Sequence, residues 1–121
     1  MKEQKTLEKF DDGSMIQYMR VAMPMMSDRD NVMHVSTMDT DGGAFAVVQT
    51  VDHPSMPPNP KVVRMFYHAV LFLKQVGADV VMIDFEYVNL KGYLPASLLN
   101  MTIASECAKE FTNMVKCIYA N

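Results

Sequence analysis

Hydrophobic and polar positions along the chain change rhythm once. Up to about residue 90 the apolar residues fall in extended runs rich in β-branched and aromatic side chains, separated by turn-forming residues; beyond Pro95 they recur every four. After a polar lead, the first extended run is SMIQYMRVAMP, from Ser14 to Pro24, closed by a proline that cannot donate to a ladder. The run from Asp30 to Met38, DNVMHVSTM, passes into DTDGG, where Asp41-Gly42 supplies the positive φ of a tight hairpin turn. Its partner, AFAVVQTV from Ala44 to Val51, stops at HPSMPPNP, a loop too rich in proline to be a strand. Two long runs follow, Lys61 to Leu73 and Ala78 to Leu90; the Gly77 break between them predicts an antiparallel pair.

Leu99, Ile103, Cys107, Phe111 and Val115 then form one helical stripe, joined by Met114 and Ile118, with Pro95 at the first turn. The spacing predicts a helix from about Leu94 to Tyr119. Five or six antiparallel strands over residues 14–90 and one long C-terminal helix make an α+β layout in a single domain spanning residues 1–121. Half the residues are hydrophobic and 21% charged, which excludes intrinsic disorder. The net charge of -3, without a basic cluster, argues against a nucleic-acid partner. The polar N-terminus offers no secretory apolar region, and Arg64 and His68 interrupt the most apolar stretch before it could span a bilayer. A cytoplasmic protein, peripheral at membranes at most, is expected.

Candidate chemistry is sparse. Counting an EF-hand from Asp39 puts Gly43 and Thr50 where calcium ligands should stand, so the aspartates read as turn residues. His34, His53 and His68 lack the spacing of helical zinc ligands. Cys107 and Cys117 lie about 15 Å apart along one helix, too far for a disulfide, and are expected as free thiols in buried or partly buried packing. No GxSxG, Walker A or GxGxxG motif is present. The reading therefore assigns no catalytic residue, metal or cofactor. Thirteen methionines suit either an ordinary core or an adaptable wall around an apolar ligand. Strand alternation puts Asp84 and Glu86 on one face: either they line an interior with Arg64 or His68 as partners, or a bulge reverses the facing and leaves both in water. The bulge is favoured, because two uncompensated buried carboxylates would cost several kcal/mol.

The run YVNLKGYLPASLLN, from Tyr87 to Asn100, resembles the last strand and helix start of START (StAR-related lipid transfer) domains. SDRD at Ser27 to Asp30, DGG at Asp41 to Gly43, VDHPSMPP at Val51 to Pro58 and VVR at Val62 to Arg64 follow in family order. The resemblance runs from about Asp12 to Tyr119, covers the C-terminal portion of the family domain, and in LKGYLPASLLN is nearest the cholesterol-binding branch. Tyr93 stands where the family has Trp, and an acid–arginine pair of the sterol tunnel has apolar counterparts near Ile16 and Val35.

That resemblance implies a helix-grip: a curved antiparallel sheet around the C-terminal helix, with one lipid in the tunnel between. The expected function is non-enzymatic binding and intermembrane transfer of a sterol or phospholipid, with transient contact to a membrane surface. Alternation, the helix stripe and the resemblance together place Met33, Val35, Ala46, Val48, Val70, Phe72, Val88, Leu90, Leu99 and Ile103 on the tunnel wall. Arg29 and Arg64 are expected to be structural. Two alternatives are an enzyme on the same fold, using Asp84, Glu86 or His68, and an assembly module whose incomplete sheet is finished by a second copy or another chain.

Overall fold

In the computed structural model, which describes residues 1–119 except the side chains of Thr102 and 117–119, the charged lead of the chain is itself a strand. This β1 (Glu3–Lys9) is followed by β2 (Met15–Val21), β3 (Arg29–Thr40), β4 (Gly43–Thr50), β5 (Val63–Arg64), β6 (Phe66–Val76), β7 (Asp79–Asn89) and the helix α1 (Ala96–Tyr119). The chain divides into two compact units, Met1–Lys91 and Gly92–Asn121. The first holds all seven strands, in the order β1-β2-β3-β4-β6-β7, with the short β5 parallel beside β3. Every other pairing is antiparallel.

Two elements depart from the sequence expectation. β1 reads EQKTLEK, with no apolar face to announce a strand, yet its backbone pairs with β2 from Glu3↔Arg20 to Lys9↔Met15. The run beginning at Lys61 is not one strand. It breaks at Met65, whose N–H donates to the Asp30 carbonyl at 2.9 Å while β5 lies along β3. The β3–β4 hairpin has the predicted two-residue turn, with Thr40 opposite Gly43 and Gly42 at φ 73°. Gly43 is needed for a different reason: a Cβ there would strike the Leu73 carbonyl of β6.

Side chains of cross-strand partners share a face, so the registers define two faces without further assumption. One carries Met15, Met33, Val35, Ala46, Val48, Ala69, Leu71, Met82 and Val88 and is called here the Val48 face. The other, the Val47 face, carries Ile16, Tyr18, Val32, Phe45, Val47, Val70, Phe72, Ile83 and Phe85. The buried cluster Ile16, Tyr18 and Val32 lies on the Val47 face of β2 and β3, packed against Leu7, Val51 and Met56. The proline loop therefore supplies the lid of this core.

In the second unit, α1 begins one residue after Pro95, whose carbonyl accepts from the N–H groups of Leu98 and Leu99 at 3.0 Å. Its exposed face carries a Lys109–Glu106 pair at 2.7 Å. Cys107 is a free but exposed thiol, not the buried one expected. Cys117 has its side chain outside the described residues.

Candidate functional site

Four strands lay small and apolar side chains side by side on the Val48 face. One row runs Val35, Val48, Ala69; the next runs Thr37, Ala46, Leu71; a third runs Ala44, Leu73, Met82. Each row holds one alanine, at its end, middle and start in turn, beside longer Val, Leu or Met, so the three alanines step diagonally across the strands as the low part of this face, called here the trough. Five of the ten predicted wall residues, Met33, Val35, Ala46, Val48 and Val88, share this face. Val70 and Phe72 do not. Val70 pairs with Val47, and Phe72 with Phe45, their rings 4.6 Å apart, so both point away from the trough and Ala69 and Leu71 hold the positions assigned to them. Leu90 lies one residue past β7, half-buried. Leu99 and Ile103 stand one turn apart on α1, in the second unit.

The polar end of the same face is tightly built. Arg29, 2% exposed, donates through Nε to the Leu90 carbonyl at 2.8 Å, through Nη2 to the Lys91 carbonyl at 2.9 Å, and through Nη1 to the Ser27 carbonyl. The guanidinium thus satisfies three carbonyls that flank β3 and β7 and would otherwise lose their hydration uncompensated. On the opposite face, Arg64 donates through Nε to Asp30 Oδ1 at 2.8 Å and through Nη2 to the Met56 carbonyl at 3.0 Å, tying the proline loop to β3. Both guanidiniums are thus engaged by protein acceptors. Next to Arg29 on the Val48 face is Asn31, fully buried; its Oδ1 lies 3.0 Å from the Thr50 hydroxyl, while its Nδ2 has no hydrogen-bond partner among the described residues. Nothing in the apolar patterning marks Asn31 or Thr50.

Asp84 and Glu86 finish two rows of the trough, opposite Leu71 and Ala69. The bulge expected to reverse their facing is absent: β6 and β7 stay in step from Phe66↔Asn89 to Val76↔Asp79. The acids escape burial differently, because both are exposed, and Glu86 Oε1 accepts from the Tyr67 hydroxyl at 2.8 Å. Neither has the basic partner considered for an interior site. Arg64 is committed to Asp30, and His68, paired with Tyr87, faces the other way.

One arrangement has the outline of a hydrolase triad. Ser55 Oγ lies 2.7 Å from His53 Nδ1, and His53 Nε2 lies 3.2 Å from Glu8 Oε2. The backbone N–H of Ser55 also donates to Nδ1, which fixes Nδ1 as acceptor and puts the ring proton on Nε2 toward Glu8. The adjacent amide of Met56 donates to the His53 carbonyl at 3.0 Å. The two amides nearest Ser55 are thus engaged, leaving neither to hold an oxyanion, and the group closes a turn that pins the proline loop to β1. Among the described residues no group of three or more His, Cys, Asp or Glu converges on a metal position, and no helix is long and apolar enough to cross a membrane.

Comparison with known proteins gives one family. The START domain model matches residues 1–121. StAR-related lipid transfer protein 5 from Bos taurus is 30% identical over 102 residues, covering 79% of this chain and 47% of the relative; the Mus musculus protein of that name is also 30% identical. The chain spans about half the length of these curated relatives. Among solved structures, human StAR-related lipid transfer protein 5 superposes with a TM-score of 0.78 at 23% identity, over 95% of this chain and 58% of that one. Human STARD10 superposes with 0.79 at 20% identity, over 94% of this chain and 48% of that one. These likenesses show the fold.

Proposed function

This chain belongs to the START domain family, and on that premise we propose that its sheet binds one lipid, a sterol or a phospholipid, and delivers it between membranes without chemical change. The observation that carries the reading is the trough on the Val48 face. Ala46 and Ala69 leave room where larger side chains would fill it, and Met33, Val35, Leu71 and Val88 supply apolar walls. Apolar surface laid against such a floor is worth roughly 25 cal/mol per Å² removed from water, enough to hold a lipid without a covalent or metal bond. The methionines at 15, 33 and 82 on this face adapt to an irregular outline. The names of the relatives, lipid transfer proteins, point the same way. Delivery requires release, and so a transient contact with a membrane surface.

The test sets one face against the other. Vesicles carrying a fluorescent sterol, and separately a fluorescent phosphatidylcholine, serve as donors to unlabelled acceptors, with loading measured on the purified chain. Ala46→Phe, which fills the trough, should reduce loading about 10-fold, the equivalent of ~1.4 kcal/mol. Val70→Thr, a change of similar volume on the Val47 face, should leave it unchanged. Loss with Val70→Thr but not with Ala46→Phe would place the lipid on the wrong face. No loading of either probe by a folded chain would end the proposal.

A further inference from the structure

We infer that Asn31 is the polar anchor of the lipid site: its buried amide binds a lipid hydroxyl, while the apolar body of that lipid lies along β3 on the trough. This rests on the lipid reading and deepens it, by naming the residue and the chemical group it takes. Asn31 is 0% exposed, and its Nδ2 has no hydrogen-bond partner among the described residues. A buried donor left unpaired destabilises the folded chain and calls for an explanation. An open sheet edge does not supply one. β3 is an interior strand, with β2 on one side and β4 on the other, and the described residues by themselves bury the amide completely.

Exchanging the oxygen and nitrogen of the amide does not repair the fault. The Thr50 hydroxyl, 3.0 Å from the Asn31 side chain, already accepts the Tyr67 N–H at 2.8 Å and stands 3.1 Å from the Tyr67 carbonyl. With one proton and one remaining lone pair, it can serve either end of the amide but never both. The other end needs a group that donates if the amide oxygen is left over and accepts if the nitrogen is. A hydroxyl does both, whereas a phosphodiester or an ester only accepts. Position favours the same occupant. Asn31, Met33 and Val35 follow one another on the Val48 face, and four residues of strand, about 13 Å, separate Asn31 from the first row of the trough. A lipid with its hydroxyl at Asn31 keeps its apolar body on Val35, Val48 and the alanines beyond. Two neighbours of the amide on this face are movable. Met19 lies opposite it on β2 and Met33 next along β3, and their unbranched thioether side chains turn aside to admit the hydroxyl.

The test compares two lipids that differ by that hydroxyl, cholesterol and its deoxy counterpart cholestene. Each is offered to the whole chain in phosphatidylcholine vesicles, and bound lipid is counted by mass spectrometry. Asn31→Leu, which keeps the branched shape without the polar atoms, orphans nothing, because the Thr50 proton retains the Tyr67 carbonyl. Its melting temperature should therefore not fall, while the ratio of cholesterol to cholestene loaded should drop ~10-fold from the wild-type ratio, the scale of one hydrogen bond. Comparing ratios cancels the unequal partitioning of the two probes into the vesicles. A second readout needs no variant. In the nitrogen-labelled wild type, the Asn31 Nδ2 proton resonances should shift on loading cholesterol and stay in place on loading cholestene. An unchanged ratio, a lowered melting temperature with both loadings falling together, or amide resonances indifferent to the hydroxyl would overturn the inference and leave lipid binding standing. If neither the probes nor the phosphatidylcholine of the vesicles were loaded, the lipid reading would fail and the anchor with it.

Discussion

The two ends of this one sheet are built on opposite plans. At the β1–β3 end the Val47 face is roofed by the proline loop, its core side chains Ile16, Tyr18 and Val32 are buried, and Arg64–Asp30 and His53–Glu8 fasten roof to strands. At the β6–β7 end the same face continues in Ile83, Phe85 and Tyr87, the last two 70% and 60% exposed, and a shallow groove lined by Val47, His68, Val70, Phe85 and Tyr87 lies open. Hydrophobicity does not distinguish the ends; what covers it does. Fixed cover turns apolar area into stability, whereas uncovered area is held in reserve for association. On this view the first end makes the fold, and the proposed lipid surface draws on the second.

The largest effect should come from unfastening the covered end. Arg64→Ala would leave Asp30, 2% exposed, as a buried carboxylate without its cation, and such losses cost about 3–5 kcal/mol. Thermal melts should show a drop large enough to unfold much of the population at 37 °C. Lipid loading should fall in parallel with the folded fraction; loading lost at an unchanged melting temperature would make Arg64 a ligand of the lipid head instead.

A matched pair of aromatic truncations sharpens the contrast. Tyr18→Ala, in the covered core, should cost about 3–5 kcal/mol, while Phe85→Ala on the open end should stay within about 0.5 kcal/mol. Urea titrations of the two variants, compared through their midpoints, read the difference. Equal losses would mean that the open end is as much a part of the folding core as the covered one.

How far the chain announces this division varies by segment. The hairpin at Asp41-Gly42 and the helix after Pro95 are legible because one local rule decides each: positive φ for the turn, period four for the helix. β1 is hidden, since a charged edge strand has no apolar alternation and only pairing with β2 reveals it. The face of β6 is hidden for the opposite reason. Phe66, Val70 and Phe72 alternate with Ala69, Leu71 and Leu73, so both faces are apolar and the phase cannot be read from the strand by itself. Register with β4 fixes the phase and puts Val70 and Phe72 on the face opposite Val48. For Asp84 and Glu86 a bulge is expected because burial would be costly; both acids instead stand exposed in an unbroken register. Asn31 and Thr50 could not be singled out, because an isolated polar pair within a strand has no pattern of its own.

The smallest effect is electrostatic and again falls at the covered end. Hydrogen bonds from Lys2 and Arg20 hold the Asp28 carboxyl below the ordinary carboxylate range, and those from the Ser14 hydroxyl and amide do the same for Asp12, in the β1–β2 turn. A carboxyl with a depressed folded value contributes stability above its unfolded value, and that contribution is lost as the pH falls through the folded one. Both groups should therefore be silent from neutrality down to about pH 4 and then weaken the β1–β2 pairing as the acid strengthens. Amide exchange resolved by strand would show it: below that pH protection of β1 should fall before that of β6, although β6 flanks the barer end. Asp28→Asn, which removes one of the two titrations, should shift the acid loss of β1 protection only in part. If β6 loosens first, the acid sensitivity belongs to the open end, and charge would have to be counted among the forces holding that end together.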